Sequence, residues 1–190
     1  MQALRIEFWE KIRNIRVEDL IFIDESGVNL AMVRLYARAL KGKRAYGTRP
    51  QKRAKNVSMV GAITLKEVLT FFNVLGAIDG VTFEAFIIRK LVPKLWKGAC
   101  VILDNCSVHK KSIVEKVIKQ AGGQVIYLPP YSPDFSPIEN CWSKVKGILR
   151  TIGARTYRAL ESAITQAYQQ VSEQDLYNWF THCCYCASSI

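Results

Sequence analysis

Five short runs of apolar residues have the length and the flanking residues of β-strands. Residues 20–24 (LIFID) and 99–104 (ACVILD) are almost wholly apolar and each run ends in an aspartate, which is typical of buried strands. Residues 56–64 and Val68–Leu75 are separated by a short polar turn and predict an antiparallel hairpin. Residues 124–128 form the fifth predicted strand.

Apolar residues at helical spacing predict helices between and after these strands. One helix follows Asp79, a second covers residues 110–121 and ends at Gly122, and a third runs from Pro137 to about Arg150. The remaining predicted helices lie near residues 157–171 and 173–183, and at the N-terminus, where Leu4, Phe8, Ile12 and Ile15 share one face.

The order of these elements predicts an α/β fold with a mixed sheet flanked by helices. The order also resembles that of the ribonuclease H-like fold. Residues 20–190 are expected to form one domain that includes the C-terminal helices, and residues 1–19 an N-terminal helix and linker docked on it. Residues 26–55 have weak periodicity and predict a strand-like ribbon or a long loop.

The composition indicates a polyanionic partner. The chain has 27 basic and 16 acidic residues and a formal net charge of +11, and nucleic acid is the commonest partner of such proteins. No segment reaches the roughly 18 apolar residues of a membrane helix, and charged residues interrupt the N-terminal apolar positions, which excludes a secretory signal. We therefore expect a cytoplasmic protein, associated with the nucleoid when bound to DNA, with its six cysteines reduced.

A group of potential zinc ligands lies near the C-terminus, at residues 182–186 (HCCYC). Adjacent cysteines do not easily reach one tetrahedral centre, and no second ligand pair lies elsewhere at the spacing of a zinc finger. We therefore favour a partly buried C-terminal end over a zinc site.

Two carboxylates, Asp24 and Asp104, are predicted at the carboxyl ends of buried strands. A charged group in such a position is costly unless it is solvated, paired or bound to a metal. This edge of an α/β sheet is also where ligands bind. Taken alone, each aspartate is explained equally well as the cap of a following turn.

A third carboxylate, Glu139, lies in the first turn of the helix that begins at Pro137. A local role is available, because Ser136 and Glu139 fit a capping box in which Glu139 accepts from the Ser136 amide. The helical register, however, places Glu139 on a polar face with Lys146 and Arg150, apart from the apolar stripe. A proline-rich loop before this helix would hold Glu139 in a reproducible position.

Three carboxylates at one site repel one another unless cations neutralise them. Two divalent cations about 4 Å apart can activate the attacking oxygen and stabilise the leaving oxygen at a phosphodiester. Oxygen ligands select Mg²⁺ or Mn²⁺ over zinc.

Three segments closely resemble the acidic motifs of the mariner-superfamily DDE transposases, and the bacterial insertion-sequence branch is the nearest match. They are FIDESG at residues 22–27, ILDNCSVH at 102–109 and YLPPYSPDFSPIENCWSKVK at 127–146, with 34 residues between Asp104 and Glu139. The resemblance implies that Asp24, Asp104 and Glu139 are catalytic ligands of two Mg²⁺ or Mn²⁺ ions. It also implies DNA strand cleavage and strand transfer from a 3′-hydroxyl. Asn105 and His109 are candidate neighbours of this active site, and the alternative for His109 is a polar residue at a helix start.

A strongly basic stretch begins shortly after the first motif and contains nine cations and no acidic residue. A charge run is usually a solvated face, but a third of the basic residues in 22 positions favours contacts to DNA phosphates. Tyr36 and Tyr46 could stack on unpaired bases or pack within the protein. The candidate DNA-binding residues are Arg34, Arg38, Lys41, Lys43, Arg44, Arg49, Lys52, Arg53 and Lys55, with Lys146 of the Glu139 helix.

Only 23 residues precede Asp24, too few for the helix-turn-helix domains that recognise transposon ends in this family. We therefore expect such a domain upstream or on a separate chain, and a homodimer on transposon ends and target DNA. Two alternatives stay open. One is another nuclease on the ribonuclease H-like fold, and the other is a non-catalytic DNA-binding regulator of a full-length transposase.

Overall fold

A mixed five-stranded sheet forms the centre of the protein in the computed structural model, which describes residues 2–51, 54–106 and 112–186. The strands lie in the order β3-β2-β1-β4-β5. β1 pairs antiparallel with β2 and parallel with β4. The strands are β1 (Leu20–Val28), β2 (Val57–Ile63), β3 (Val68–Leu75), β4 (Cys100–Leu103) and β5 (Gln124–Tyr127).

The predicted hairpin, β4 and β5 are confirmed, but the predicted end of β1 is wrong. β1 continues past Asp24 to Val28, since its residues from Phe22 onward pair with β2. Its parallel pairing with β4 stops at Phe22. The apolar run therefore marks only the part of β1 whose two faces are both buried. The more polar remainder of the strand is stabilised by its pairing with β2.

Six α-helices in the described residues surround the sheet, as predicted from their spacing. The helix after Asp79 is shorter than its apolar pattern suggests, because its α-helical segment ends at Phe86. The segment there continues as a π-helical turn, Ile87–Leu91, and a 3₁₀ turn, Val92–Lys94. The helices are α1 (Gln2–Ile12), α2 (Gly80–Phe86), α3 (Ser112–Gln120), α4 (Pro137–Ile152), α5 (Tyr157–Gln169) and α6 (Glu173–His182).

Alternating strand residues divide the core into two layers, one on each face of the sheet. Phe22 and Ile102 point to the side covered by α1, α4, α5 and α6. Ile21, Ile23 and Val101 point to the opposite side, which is covered by α2 and α3. Because side chains along a strand alternate between the two faces, the continuous apolar runs of β1 and β4 fill both layers.

The interval between β1 and β2 contains neither helix nor strand among its described residues. The prediction of a long loop is therefore confirmed, and the alternative of a strand-like ribbon is wrong. None of the six cysteines, all of which lie in described residues, forms a disulfide bond. Among the described helices, none is both long and apolar enough to cross a membrane.

Candidate active site

Asp24, Asp104 and Glu139 line one cavity of about 400 Å³ at an edge of the sheet. They come from three separate elements: β1, the segment that follows β4, and the first turn of α4. Asn105 lines the same cavity. His109 lies outside the described residues.

The three acids line the walls of this cavity and do not meet at one point. Within the described residues, no group of three His, Cys, Asp or Glu side chains is arranged to hold a metal ion. The observation that joins them is therefore the shared cavity, together with the effect of Asp104 and Glu139 on the pKa of Asp24.

Asp24 is half-buried and carries an unfavourable charge. Burial raises its pKa to about 6, and the negative charges of Glu139 and Asp104 act in the same direction. The Glu25 amide and the Trp142 indole oppose this shift, and the indole Nε1–H donates to Oδ2 of Asp24 at 2.9 Å. The site therefore has an excess of negative charge that a cation would neutralise.

Asp104 follows the last residue of β4 and turns the chain there. Its Oδ1 accepts a hydrogen bond of 2.9 Å from the amide of Cys106, so the turn-capping role considered from the sequence is confirmed. This role does not exclude metal binding, because an ionised carboxylate offers about four acceptor positions on two oxygens.

The capping box considered as an alternative role for Glu139 does not form at the start of α4. Ser136 is the N-cap residue and Pro137 follows it, but the Ser136 side chain makes no capping hydrogen bond. The Ser136 amide donates to the carbonyl of Pro133, within the 3₁₀ turn that precedes the helix. Because that amide is already engaged, the local role proposed for Glu139 is lost, and its exposed carboxylate faces the cavity instead.

Gly61 and Trp142 hold Asp24 in place, an arrangement that the sequence analysis missed. Gly61 lies opposite Asp24 in the β1–β2 register. A Cβ atom at this glycine would lie 2.9 Å from Cη2 of Trp142, so only glycine lets the indole pack against β2 and reach Asp24. The available signal was that a buried tryptophan needs an acceptor for its N–H.

The proline-rich loop before α4 is held by α1. Arg5 Nη1 donates to the Ser132 hydroxyl at 3.0 Å and to Asp134 Oδ1 at 3.1 Å. The Arg5 guanidinium also lies 3.8 Å above the ring centroid of Phe135, and its hydrogen bond holds the pKa of Asp134 below the usual value. These contacts position the loop that leads into Glu139, and Arg5 was not among the residues singled out from the sequence.

Replacement of Gly61 by alanine is expected to damage the site without changing any acid. The added methyl group would push the Trp142 ring, so we expect a loss of stability of about 1–3 kcal/mol. Because displacement of a reacting group by about 1 Å can lower a rate by about a hundredfold, the DNA cleavage that the motif resemblance implies should fall by a similar factor. Thermal unfolding and DNA cleavage measure the two effects.

The matched control is Gly27→Ala, also on β1–β2, where a Cβ atom would meet nothing within 4 Å. That variant should stay within about 0.5 kcal/mol of the native chain. Equal behaviour of the two variants would show that Trp142 does not need the space over Gly61.

The basic stretch lies away from the acidic cavity. Every one of its described cations is exposed, whereas Lys146 is half-buried on α4. Lys52 and Arg53 lie outside the described residues. Tyr36 and Tyr46 are 89% and 88% exposed, so the alternative that they pack within the protein is wrong.

The comparisons with known proteins agree with this fold. The family profile described as DDE superfamily endonuclease matches residues 19–164. No curated protein is detectably similar in sequence to the chain.

Several solved structures have the same fold at low sequence identity. The Mos1 strand transfer complex superimposes with a TM-score of 0.75 at 15% identity, covering 96% of this chain and 56% of that chain. The Mos1 mariner paired end complex with Mn superimposes with a TM-score of 0.76 at 13% identity, covering 96% of this chain and 57% of that chain. The catalytic domain of Mos1 mariner transposase superimposes with a TM-score of 0.70 at 12% identity, covering 96% of this chain and 85% of that chain. The predicted ribonuclease H-like fold is therefore confirmed, and the assignment to the bacterial insertion-sequence branch stays a prediction.

Proposed function

Because the chain belongs to the DDE superfamily endonuclease family, we propose that it is the catalytic part of a DNA transposase. It would cut DNA strands and join a 3′-hydroxyl end to a target. The observation that carries this proposal is the convergence of Asp24, Asp104 and Glu139 on one cavity from three distant parts of the chain. The chain spans about 56% of the length of the Mos1 chain in the strand transfer complex, so the activity of a whole transposase is part of the proposal.

The three acids would hold two Mg²⁺ or Mn²⁺ ions, and the chemistry of the site fits such ions. All the candidate ligands are hard oxygen atoms, which suits these metals. The raised pKa of Asp24 shows that this carboxylate lacks a positive neighbour sufficient to offset its burial. Solved Mos1 structures with Mn and with Mg support the choice of metal. When bound, two such ions activate the attacking oxygen and stabilise the leaving oxygen.

The residues of the chain would orient the carboxylates. The Trp142 indole holds one oxygen of Asp24, and the Cys106 amide holds one oxygen of Asp104. Glu139 is positioned by the proline-rich loop, which Arg5 holds through hydrogen bonds. Such preorganisation reduces the reorganisation needed at the moment of reaction.

DNA is the proposed substrate, in the form of transposon ends and target. The exposed cations between β1 and β2 support this proposal because phosphates supply most of the affinity in DNA binding. Mos1 has been solved in a paired-end complex with the left transposon end and in a strand transfer complex. We further propose a homodimer on DNA, a helix-turn-helix domain for end recognition, and association with the nucleoid.

A strand-transfer assay tests the proposal. A labelled duplex that ends in the terminal repeat of the encoding element, with its 3′-hydroxyl already exposed, is incubated with plasmid and Mg²⁺ or Mn²⁺. We expect the label to join the plasmid, because a transposase uses the 3′-hydroxyl as the nucleophile. Asp104→Ala should give no product, and Glu161→Gln, which removes an exposed acid on α5, should be fully active.

The two alternatives give different results in the same assay. A simple nuclease would yield only shortened products, and a non-catalytic regulator would bind the DNA and leave it intact. Either result with the unaltered chain would contradict the proposed function.

A further inference from the structure

Both ends of the loop between β1 and β2 are tied to the segment that joins α4 to the first turn of α5. Arg155 Nη1 donates to the carbonyls of Leu30 and Met32 at 3.1 and 3.0 Å. At the other end, the amide of Lys55 donates to the Tyr157 hydroxyl at 2.8 Å. Since Arg155 and Tyr157 lie two residues apart, these bonds hold the loop over the C-terminal end of α4.

A basic cleft lies between this loop and the end of α4. It has a volume of about 650 Å³, and its lining includes Arg34 and Arg49 from the loop and Arg150 and Arg155 from the opposite side. None of its described lining residues is acidic. Guanidinium groups form paired hydrogen bonds with phosphate oxygens, so the charge and shape of the cleft suit a DNA backbone.

The polar face of α4 connects the acidic cavity with this basic cleft. Glu139 lies in the first turn of α4 and Arg150 in its last, eleven residues further along. Eleven residues correspond to about three turns and about 16 Å of helix, so the two side chains lie on the same face. Ser143 and Lys146 occupy that face between them.

We propose that the basic cleft binds backbone phosphates of the DNA at about 16 Å from the bond that the acids cleave. This inference rests on the proposed function and adds a second contact that fixes the direction of the DNA. At about 3.4 Å per base pair, the separation corresponds to about five base pairs of duplex. Contacts to phosphates set the register of the DNA without reading its sequence.

Binding of duplexes of increasing length tests this proposal. Fluorescence anisotropy is measured with labelled duplexes of about 4 to about 16 base pairs at several salt concentrations, in the presence of Ca²⁺. The chains compared are the unaltered protein, Arg49→Gln, Arg49→Gln/Arg150→Gln, and Arg89→Gln as the control. Arg89 is an exposed cation in the π-helical turn after α2, in the layer on the opposite side of the sheet.

The unaltered chain should bind more tightly once the duplex is longer than about five base pairs. In the double variant this increase should disappear, and the slope of log affinity against log salt should fall by about two. At about 0.1 M salt this change corresponds to an affinity loss of about tenfold for each arginine. Arg49→Gln alone should show half of the slope change, and it is safe for folding because Arg49 lies on an exposed loop.

The inference would be overturned if the affinity of the unaltered chain did not increase above about five base pairs. It would also be overturned if the double variant kept both this increase and the salt slope of the unaltered chain. An equal loss in Arg89→Gln would also overturn it, because the effect would then reflect net charge. Failure of the proposed function would be seen separately, in the absence of strand-transfer products.

Discussion

Replacing Asp24 or Asp104 by asparagine, or Glu139 by glutamine, is expected to abolish DNA cleavage and to leave DNA affinity nearly unchanged. The amides keep the volume of the acids but remove the charge that would hold the cations. Because metal ions supply several kcal/mol of transition-state stabilisation, the rate should fall by about a thousandfold or more. DNA affinity should persist because it depends on cations elsewhere on the protein.

Cleavage in Mg²⁺ and in Mn²⁺ is compared with equilibrium binding of the same DNA for each variant. Glu161→Gln is the matched control, since it makes the same chemical change at an exposed position on α5. Activity near that of the unaltered chain would remove the substituted residue from the proposed triad. A parallel loss of binding would indicate that the acid supports the DNA site or the fold.

The metal-free chain is expected to become more stable when Asp24 is replaced by asparagine, although most substitutions at partly buried positions destabilise a protein. Burial raises the pKa of Asp24 from 3.8 to about 6 in the folded chain. The folded state therefore binds a proton more tightly than the unfolded state does. The stability from this group is fully present below pH 3.8 and is lost as the pH rises through about 6.

At pH 7 the charged Asp24 carboxylate should cost about 3 kcal/mol, since each pKa unit corresponds to about 1.4 kcal/mol. Asp24→Asn should be more stable than the unaltered chain by about this amount at pH 7, and nearly equal to it at about pH 4. Asparagine keeps an oxygen that accepts from Trp142, so the packing need not change. Urea unfolding without divalent metal, at several pH values, measures the difference. Added Mg²⁺ or Mn²⁺ should raise the melting temperature of the unaltered chain more than that of the variant.

Asp19→Asn serves as the control, because its change in stability is expected to have the opposite sign. The hydrogen bond from Arg16 lowers the pKa of Asp19, so its charged form stabilises the fold above the unfolded pKa. This variant should lose stability at neutral pH, and the loss should disappear as the pH falls through the lowered pKa. A variant at Asp24 that is less stable than the unaltered chain at pH 7 would contradict the charge excess inferred for the cavity.

The sequence by itself determined most of the secondary structure. Apolar runs and helical spacing are local properties, which is why the hairpin β2–β3, the strand β4 and the helix α4 appear where they were predicted. The acidic motifs were recognisable for a similar reason, because each motif is a short continuous segment. The expectation that Asp24 and Asp104 lie at the ligand-binding edge of the sheet came from their places at the ends of two apolar runs.

Only the tertiary structure decided how far β1 extends and what Glu139 contacts. β1 reaches Val28 because a strand far along the chain pairs with it, and pairing of this kind leaves no local pattern. The capping box failed because a neighbouring 3₁₀ turn had already engaged the Ser136 amide. Which acceptor bonds to the Ser136 amide depends on three-dimensional geometry, and residue types alone do not reveal that geometry.

The supports of the candidate site were also decided by the tertiary structure. Trp142 donates to Asp24 across 118 residues, and Arg5 donates to Asp134 across 129. The pKa of Asp24 depends on burial by elements that are distant in sequence. Sequence patterns report which residues share a strand or a helix face, whereas desolvation and hydrogen bonding depend on distances that exist only after the chain has folded.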